Sequence, residues 1–86
     1  LVMVKRQLPC ASHRVGDVLR AARAANAGAS MDTRDGLKVT LPGGWFLLRG
    51  SNTEPIVRLI AEAGTEEAAA AIADEAQARV AHACAG

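Results

Sequence analysis

Leu37, Val39 and Leu41 alternate with Lys38 and Thr40, the period of a strand with one face buried. Pro42-Gly43-Gly44 then supplies a turn, and Trp45 to Leu48 returns as the second arm of a hairpin. A polar stretch follows, Arg49-Gly50-Ser51-Asn52-Thr53-Glu54-Pro55, and Ile56 to Ala63 resumes as a third strand. A sheet of this kind must bury one face against another layer. Half of the 86 residues are apolar, but much of that is alanine, with one Trp, one Phe and no Tyr. The core is therefore expected to be thin and aliphatic, with helices carrying most of the alanine.

Two helices are written on either side of the meander. From Ser12 to Ala27 the residues Val15, Val18, Leu19, Ala22 and Ala25 fall on one helical face, and Gly28 is the stop signal. Thr65 caps a second helix whose first turn holds Glu66 and Glu67, negative charge where the helix dipole is positive. Its apolar stripe runs Ala69, Ile72, Ala73, Ala76, Val80, Ala83. Leu1 to Leu8 reads as an opening strand broken by Pro9, and Ser30 to Asp35 as a connecting loop. The order is β-α-β-β-β-α in one domain. It predicts an α+β, two-layer sandwich: a mostly antiparallel four-stranded sheet with both helices on one face and the other face wetter.

The net charge of +1 contains no basic or acidic block, so no general polyanion binder is advertised. Cys10 and Cys84 lack metal-ligand spacing, which argues against zinc and fits reduced thiols in a cytoplasmic protein. No apolar run approaches the ~20 residues of a membrane span. His13 and His82 read as solvated surface histidines, and Trp45 as a core residue of its hairpin strand. Lys5 or Arg6 on the first strand reads as edge protection. Because the chain opens on Leu1 in a strand-like run, it is expected to be a fragment of something longer.

A hairpin can close with two residues, so the seven polar ones of RGSNTEP need a reason. Gly50 lets backbone bend or approach a ligand, and Ser51, Asn52 and Thr53 can aim hydroxyls, an amide and successive N–H groups into one anion-binding concavity. Arg49 adds a planar, permanently charged fork suited to two phosphate oxygens. Glu54 has an outward role open to it, pairing with Arg58 or Arg49 to hold the fork, while Pro55 fixes the exit. From the chemistry alone, the other reading is a plain turn closed by Ser, Asn and Thr.

Arg49-Gly50-Ser51-Asn52-Thr53-Glu54-Pro55, with Arg58 and Glu62-Ala63, resembles the C-terminal phosphate-binding loop of the α-D-phosphohexomutases, the phosphomannomutase, phosphoglucomutase and phosphoglucosamine mutase superfamily. Asp35-Gly36-Leu37-Lys38-Val39 with Gly44-Trp45 is similar to the family's hairpin, and Met3-Val4-Lys5 through Pro9-Cys10 to its opening strand. The resemblance implies a TATA-box-binding-protein-like fold and the fourth, C-terminal, phosphate-clamping domain of a four-domain enzyme. The parent would interconvert hexose 6-phosphate and hexose 1-phosphate by intramolecular phosphoryl transfer. Arg49, Gly50, Ser51, Asn52 and Thr53 would hold the substrate phosphate, with Glu54 and Arg58 in support. No TxSxH-like serine setting and no DxDxD loop occurs, so the resemblance places the catalytic residues and a Mg²⁺ in the missing part of the parent and makes this chain inactive alone. Asp32 and Asp35 are too few for magnesium. Implied partners are the hexose phosphate and the parent's other domains, with no nucleic acid and no membrane.

The rival reading is a small nucleic-acid-binding or protein-interaction α+β module. A nucleic-acid binder would need stacking aromatics or a basic stripe, and Trp45 and Phe46 are adjacent and so point to opposite faces of a strand; an interaction module would dock through the alanine-rich helix Thr65 to Cys84, which packing on the sheet already explains.

Overall fold

The computed structural model describes residues 1–85. Strand β1 spans Val2–Pro9; after a 3-10 turn at Ser12–Arg14, helix α1 spans Val15–Ala25. Then come β2 (Ser30–Asp32), β3 (Leu37–Leu41), β4 (Gly44–Gly50), β5 (Ile56–Ala63) and helix α2 (Glu66–Ala85). The strands form one sheet in the order β1-β5-β4-β3-β2, every neighbouring pair antiparallel. The α+β two-layer reading holds, with five strands in place of four. The added strand lies inside the expected loop: Ser30, Met31 and Asp32 pair with Thr40, Val39 and Lys38 as a short edge.

Period-two patterning decides what each strand buries. On β5, Val57, Leu59, Ala61 and Ala63 are buried beneath the helices, and Ile56, Arg58, Ile60 and Glu62 are half-buried. Phe46 and Leu48 of β4 and Leu37 and Val39 of β3 join them. Each fully buried Leu or Val is worth about 1.5–3 kcal/mol. Trp45 departs from expectation. Being out of phase with Phe46, it lies half-buried on the sheet face opposite the helices, where its Nε1 donates to Glu62 Oε1 at 3.1 Å and Lys38 Nζ sits 4.6 Å from its ring centroid.

Helix α2 turns Ala69, Ala73, Ala76 and Val80 toward the sheet, and α1 contributes Val18 and Ala22. Thr65 caps α2 as expected, its Oγ1 accepting from the Ala68 N–H at 3.1 Å. Small alanine side chains leave the layer imperfectly filled: a cavity of about 110 Å³ lies between the helices, above Phe46 and Leu48. Arg6 does more than guard an edge strand. From β1 its Nη1 bonds Asp74 Oδ1 and Gln77 Oε1 on α2, both at 2.8 Å, and ties strand to helix.

The reduced-thiol expectation is overturned. Cys10, just past β1, and Cys84, in the last turn of α2, form a disulfide with Cα atoms 5.7 Å apart. Nothing in two cysteines separated by 74 positions reveals this; only folding brings the two chain ends together.

The turn between β2 and β3 is closed by side chains. Asp32 Oδ1 accepts from the Arg34 backbone N–H at 3.0 Å, and its Oδ2 pairs with Arg34 Nη2 at 2.8 Å. The Arg34 side-chain bonds first, then the backbone bond, lower the Asp32 pKa from 3.8 to about 2. Because the folded value is depressed, this turn favours the folded state above the unfolded carboxylate range and loses that contribution as pH falls toward 2. A carboxyl-detected NMR titration is expected to place the Asp32 midpoint near 2; a midpoint at the ordinary aspartate value would show the contact absent in solution.

Candidate functional site

The RGSNTEP segment caps the β4–β5 end of the sheet. Arg49 and Gly50 are the last residues of β4, paired in register with Arg58 and Val57. Ser51 to Pro55 form the exposed connection, with Ser51 half-buried. The Ser51 N–H donates to Ile56 O at 3.1 Å and the Ile56 N–H to Glu54 O at 2.8 Å, so the loop is a closed, hydrogen-bonded turn. Its base is held from outside as well, because the Cys10 N–H donates to Pro55 O at 2.9 Å. Gly50 is needed for a close approach: a Cβ there would stand 2.8 Å from Val15 Cγ1 at the start of α1.

Ser51 is the organising side chain of the turn. Its Oγ accepts from the backbone N–H groups of Thr53 and Glu54, both at 3.2 Å, and lies 3.4 Å from Thr53 Oγ1. A hydroxyl oxygen that accepts twice is a polarised donor, and its own proton remains to be given to Thr53 or to an anion. The Ser/Thr-turn chemistry weighed against anion binding is thus present, and it takes up the backbone N–H groups of Ser51, Thr53 and Glu54. The expected concavity of successive N–H groups is therefore not formed by these three, and the side-chain hydroxyls and the Asn52 amide are what the turn has to offer a ligand.

Arg49 and Arg58 face each other across the β4–β5 ladder on the sheet face that the helices leave open. Like charges directly opposed on a sheet repel, so their pairing asks for an anion. One partner is internal: Asp35 Oδ2 accepts from Arg49 Nη1 at 2.9 Å. Sequence reading assigned that role to Glu54, but among the described residues Glu54 makes no ion pair with either arginine; its backbone alone is engaged, the N–H by Ser51 Oγ and the carbonyl by the Ile56 N–H. The signal for Asp35 was its place in Asp35-Gly36 before β3, read as part of the hairpin and not as part of the site.

No group of three or more His, Cys, Asp or Glu side chains that could hold a metal occurs among the described residues. The two candidate carboxylates are each paired with an arginine, Asp32 with Arg34 and Asp35 with Arg49. That donor set does not fit magnesium. Nor is there an aromatic platform for nucleic acid, since Phe46 is buried under the helices and Trp45 is half-buried between Glu62 and Lys38. No helix is long and apolar enough to cross a membrane among the described residues.

Residues 4–79 match the family model "Phosphoglucomutase/phosphomannomutase, C-terminal domain". A probable phosphoglucosamine mutase of Methanopyrus kandleri is 37% identical over 75 residues, 85% of this chain and 17% of that protein. A phosphoglucomutase of Neisseria meningitidis is 45% identical over 56 residues, covering 65% of this chain and 12% of that protein. Among solved structures, a phosphoglucomutase/phosphomannomutase family protein from Burkholderia thailandensis superposes with a TM-score of 0.71 at 38% identity, over 95% of this chain and 18% of that one. The chain thus spans less than a fifth of the length of these relatives. It belongs to the phosphoglucomutase/phosphomannomutase family, as a C-terminal domain of that family.

Proposed function

We propose that this chain is the phosphate-clamping domain of a longer, four-domain phosphohexomutase, which interconverts hexose 6-phosphate and hexose 1-phosphate by intramolecular phosphoryl transfer. The observation that carries the reading is an exposed, internally hydrogen-bonded Ser-Asn-Thr turn set against two arginines in register. The Arg49 guanidinium presents a fork to two oxygens of the phosphate already on the sugar. Ser51 donates the proton its oxygen does not use, Thr53 adds a second hydroxyl and the exposed Asn52 amide completes the cradle, while Gly50 seats its base closely against Val15. Arg58 supplies long-range charge beside Arg49, and Glu54 closes the turn through its backbone. The chain's part is to bind and orient; phosphoryl transfer and Mg²⁺ chemistry belong to the parent's other domains. A cytoplasmic setting suits sugar-phosphate metabolism.

The direct check is a titration of the chain with inorganic phosphate followed by backbone amide NMR. Shifts are expected to concentrate at Gly50 to Thr53, with weak affinity, because one domain supplies only part of the site. Shifts confined to the helix ends, with the amides of Arg49 to Thr53 unmoved, would leave only the plain turn.

A further inference from the structure

Asp35 does not belong to the polar loop, and lies 14 residues before Arg49, yet its carboxylate accepts a hydrogen bond from Arg49 Nη1. An exposed ion pair of this kind is usually a chance meeting of two long side chains. Here the backbone fixes the meeting place. The preceding residues are locked by the Asp32–Arg34 turn. Gly36 follows at φ +83°, a conformation open to glycine, and is pressed so closely on β4 that a Cβ would run into the Leu48 carbonyl oxygen and come within 3.2 Å of Arg49 Cα and Cβ. Leu37 then pairs with Leu48. Aspartate is short, so little freedom remains once its backbone is set against the root of the arginine it holds.

The guanidinium has five N–H donors, and Asp35 takes one of them, on Nη1. The Nε and Nη2 edge is left as a fork for two oxygens of an anion. Without Asp35, Arg49 would face Arg58 across the ladder without the carboxylate it is paired with among the described residues, and the fork would be free to swing away.

We propose that Asp35 is a positioning residue for the anion clamp: it immobilises the Arg49 guanidinium so that its remaining edge is presented at the mouth of the Ser51–Thr53 turn. This rests on the phosphate-clamp reading, and the test separates the two. The chain and its Asp35→Ala and Asp35→Asn variants are titrated with inorganic phosphate, while the motion of the Arg49 Nε–H group is followed by ¹⁵N relaxation and solvent exchange without phosphate. Asp35→Ala is expected to weaken phosphate binding roughly 3- to 10-fold, the scale of ordering one long side chain on binding, and to make the Arg49 Nε–H markedly more mobile. Asp35→Asn keeps a side-chain acceptor and should restore both readouts most of the way. Tighter binding by both variants would make Asp35 a competitor for the fork and overturn the proposal. Unchanged Arg49 mobility in Asp35→Ala would overturn it too, whatever phosphate does. If the unaltered chain fails to bind phosphate, the clamp reading falls and the positioning role toward an anion falls with it; if it binds and Asp35→Ala binds equally, the clamp stands and only the role of Asp35 is lost.

Discussion

Reduction of the Cys10–Cys84 disulfide is expected to remove about 2–4 kcal/mol of stability, the usual range for a native bridge. The bridge spans 74 positions of the chain, and in the chain-entropy account a loop of that length is worth about 4.5 kcal/mol, just above that range. A domain of 86 residues typically holds only roughly 4–13 kcal/mol in all. The alanine-rich helix layer over an incompletely filled cavity gives no reason to expect the top of that interval. The melting temperature should therefore fall by something on the order of 10–20 °C when a dithiol reductant is added. Thermal unfolding followed by circular dichroism, with and without the reductant, reads this directly. Cys84→Ser should melt near the reduced chain and show no further response to reductant. Superimposable melting curves for the oxidised and reduced chain would refute a stabilising bridge.

The cost should not be spread evenly. The bridge fastens the last turn of α2 to the residue after β1, and the N–H of that same Cys10 holds Pro55 O at the base of the polar turn. Local opening follows the weakest attachments. Amide exchange should accelerate first in the C-terminal turns of α2 and at Cys10, ahead of the central ladder between β4 and β5.

What the sequence made legible follows from how far apart the deciding residues lie. The hairpin β3–β4 and the strand β5 were readable because alternation and the Pro42-Gly43 turn are local signals, and Thr65 before Glu66-Glu67 announced α2 in the same way. Strand β2 was not readable: Ser30, Met31 and Asp32 are too short a run for alternation to signal a strand, and they are a strand only because β3 offers an edge to pair with. Trp45 and Phe46 had to face opposite ways, but local pattern could not say which faced inward. Cross-strand partners decide it, for Phe46 lies beside buried Val39 and Ala61, and Trp45 beside Thr40 and Glu62. The loop residues of the site were legible as a compact motif. Their supports, Asp35 on Arg49 and Cys10 on Pro55, come from distant chain positions and only the folded sheet assembles them.

Replacing Arg49 by Ala is expected to cost roughly 2–4 kcal/mol of phosphate binding, because two charge-assisted hydrogen bonds are deleted at once. Two features of the fold pull on that figure in opposite directions. Arg58 remains in register on the neighbouring strand and keeps some positive charge at the rim. Asp35, however, is left without its partner, so the variant places an uncompensated carboxylate beside the anion. Its short reach to the site should outweigh the more remote attraction of Arg58 and hold the loss in the upper half of the range. Arg49→Lys separates charge from shape: it restores the attraction but offers no planar fork, so about half of the loss should persist. With the chain alone, phosphate titration by NMR would show detectable loop shifts for the unaltered protein, weakened ones for Lys and none for Ala at the same concentrations. In a parent enzyme both changes should raise the apparent KM for the sugar phosphate, Ala more than Lys, with kcat falling as well where the clamp orients the hydroxyl that receives the phosphoryl group. Coupling to Asp35 gives the geometry its own check. In a double-mutant cycle, Asp35→Ala should weaken binding when Arg49 is present and should strengthen it slightly when residue 49 is Ala, since only repulsion is then removed. An Asp35 effect of the same size and sign in both backgrounds would mean that the two residues act independently, and Arg49 would have to be oriented by something other than the carboxylate it touches.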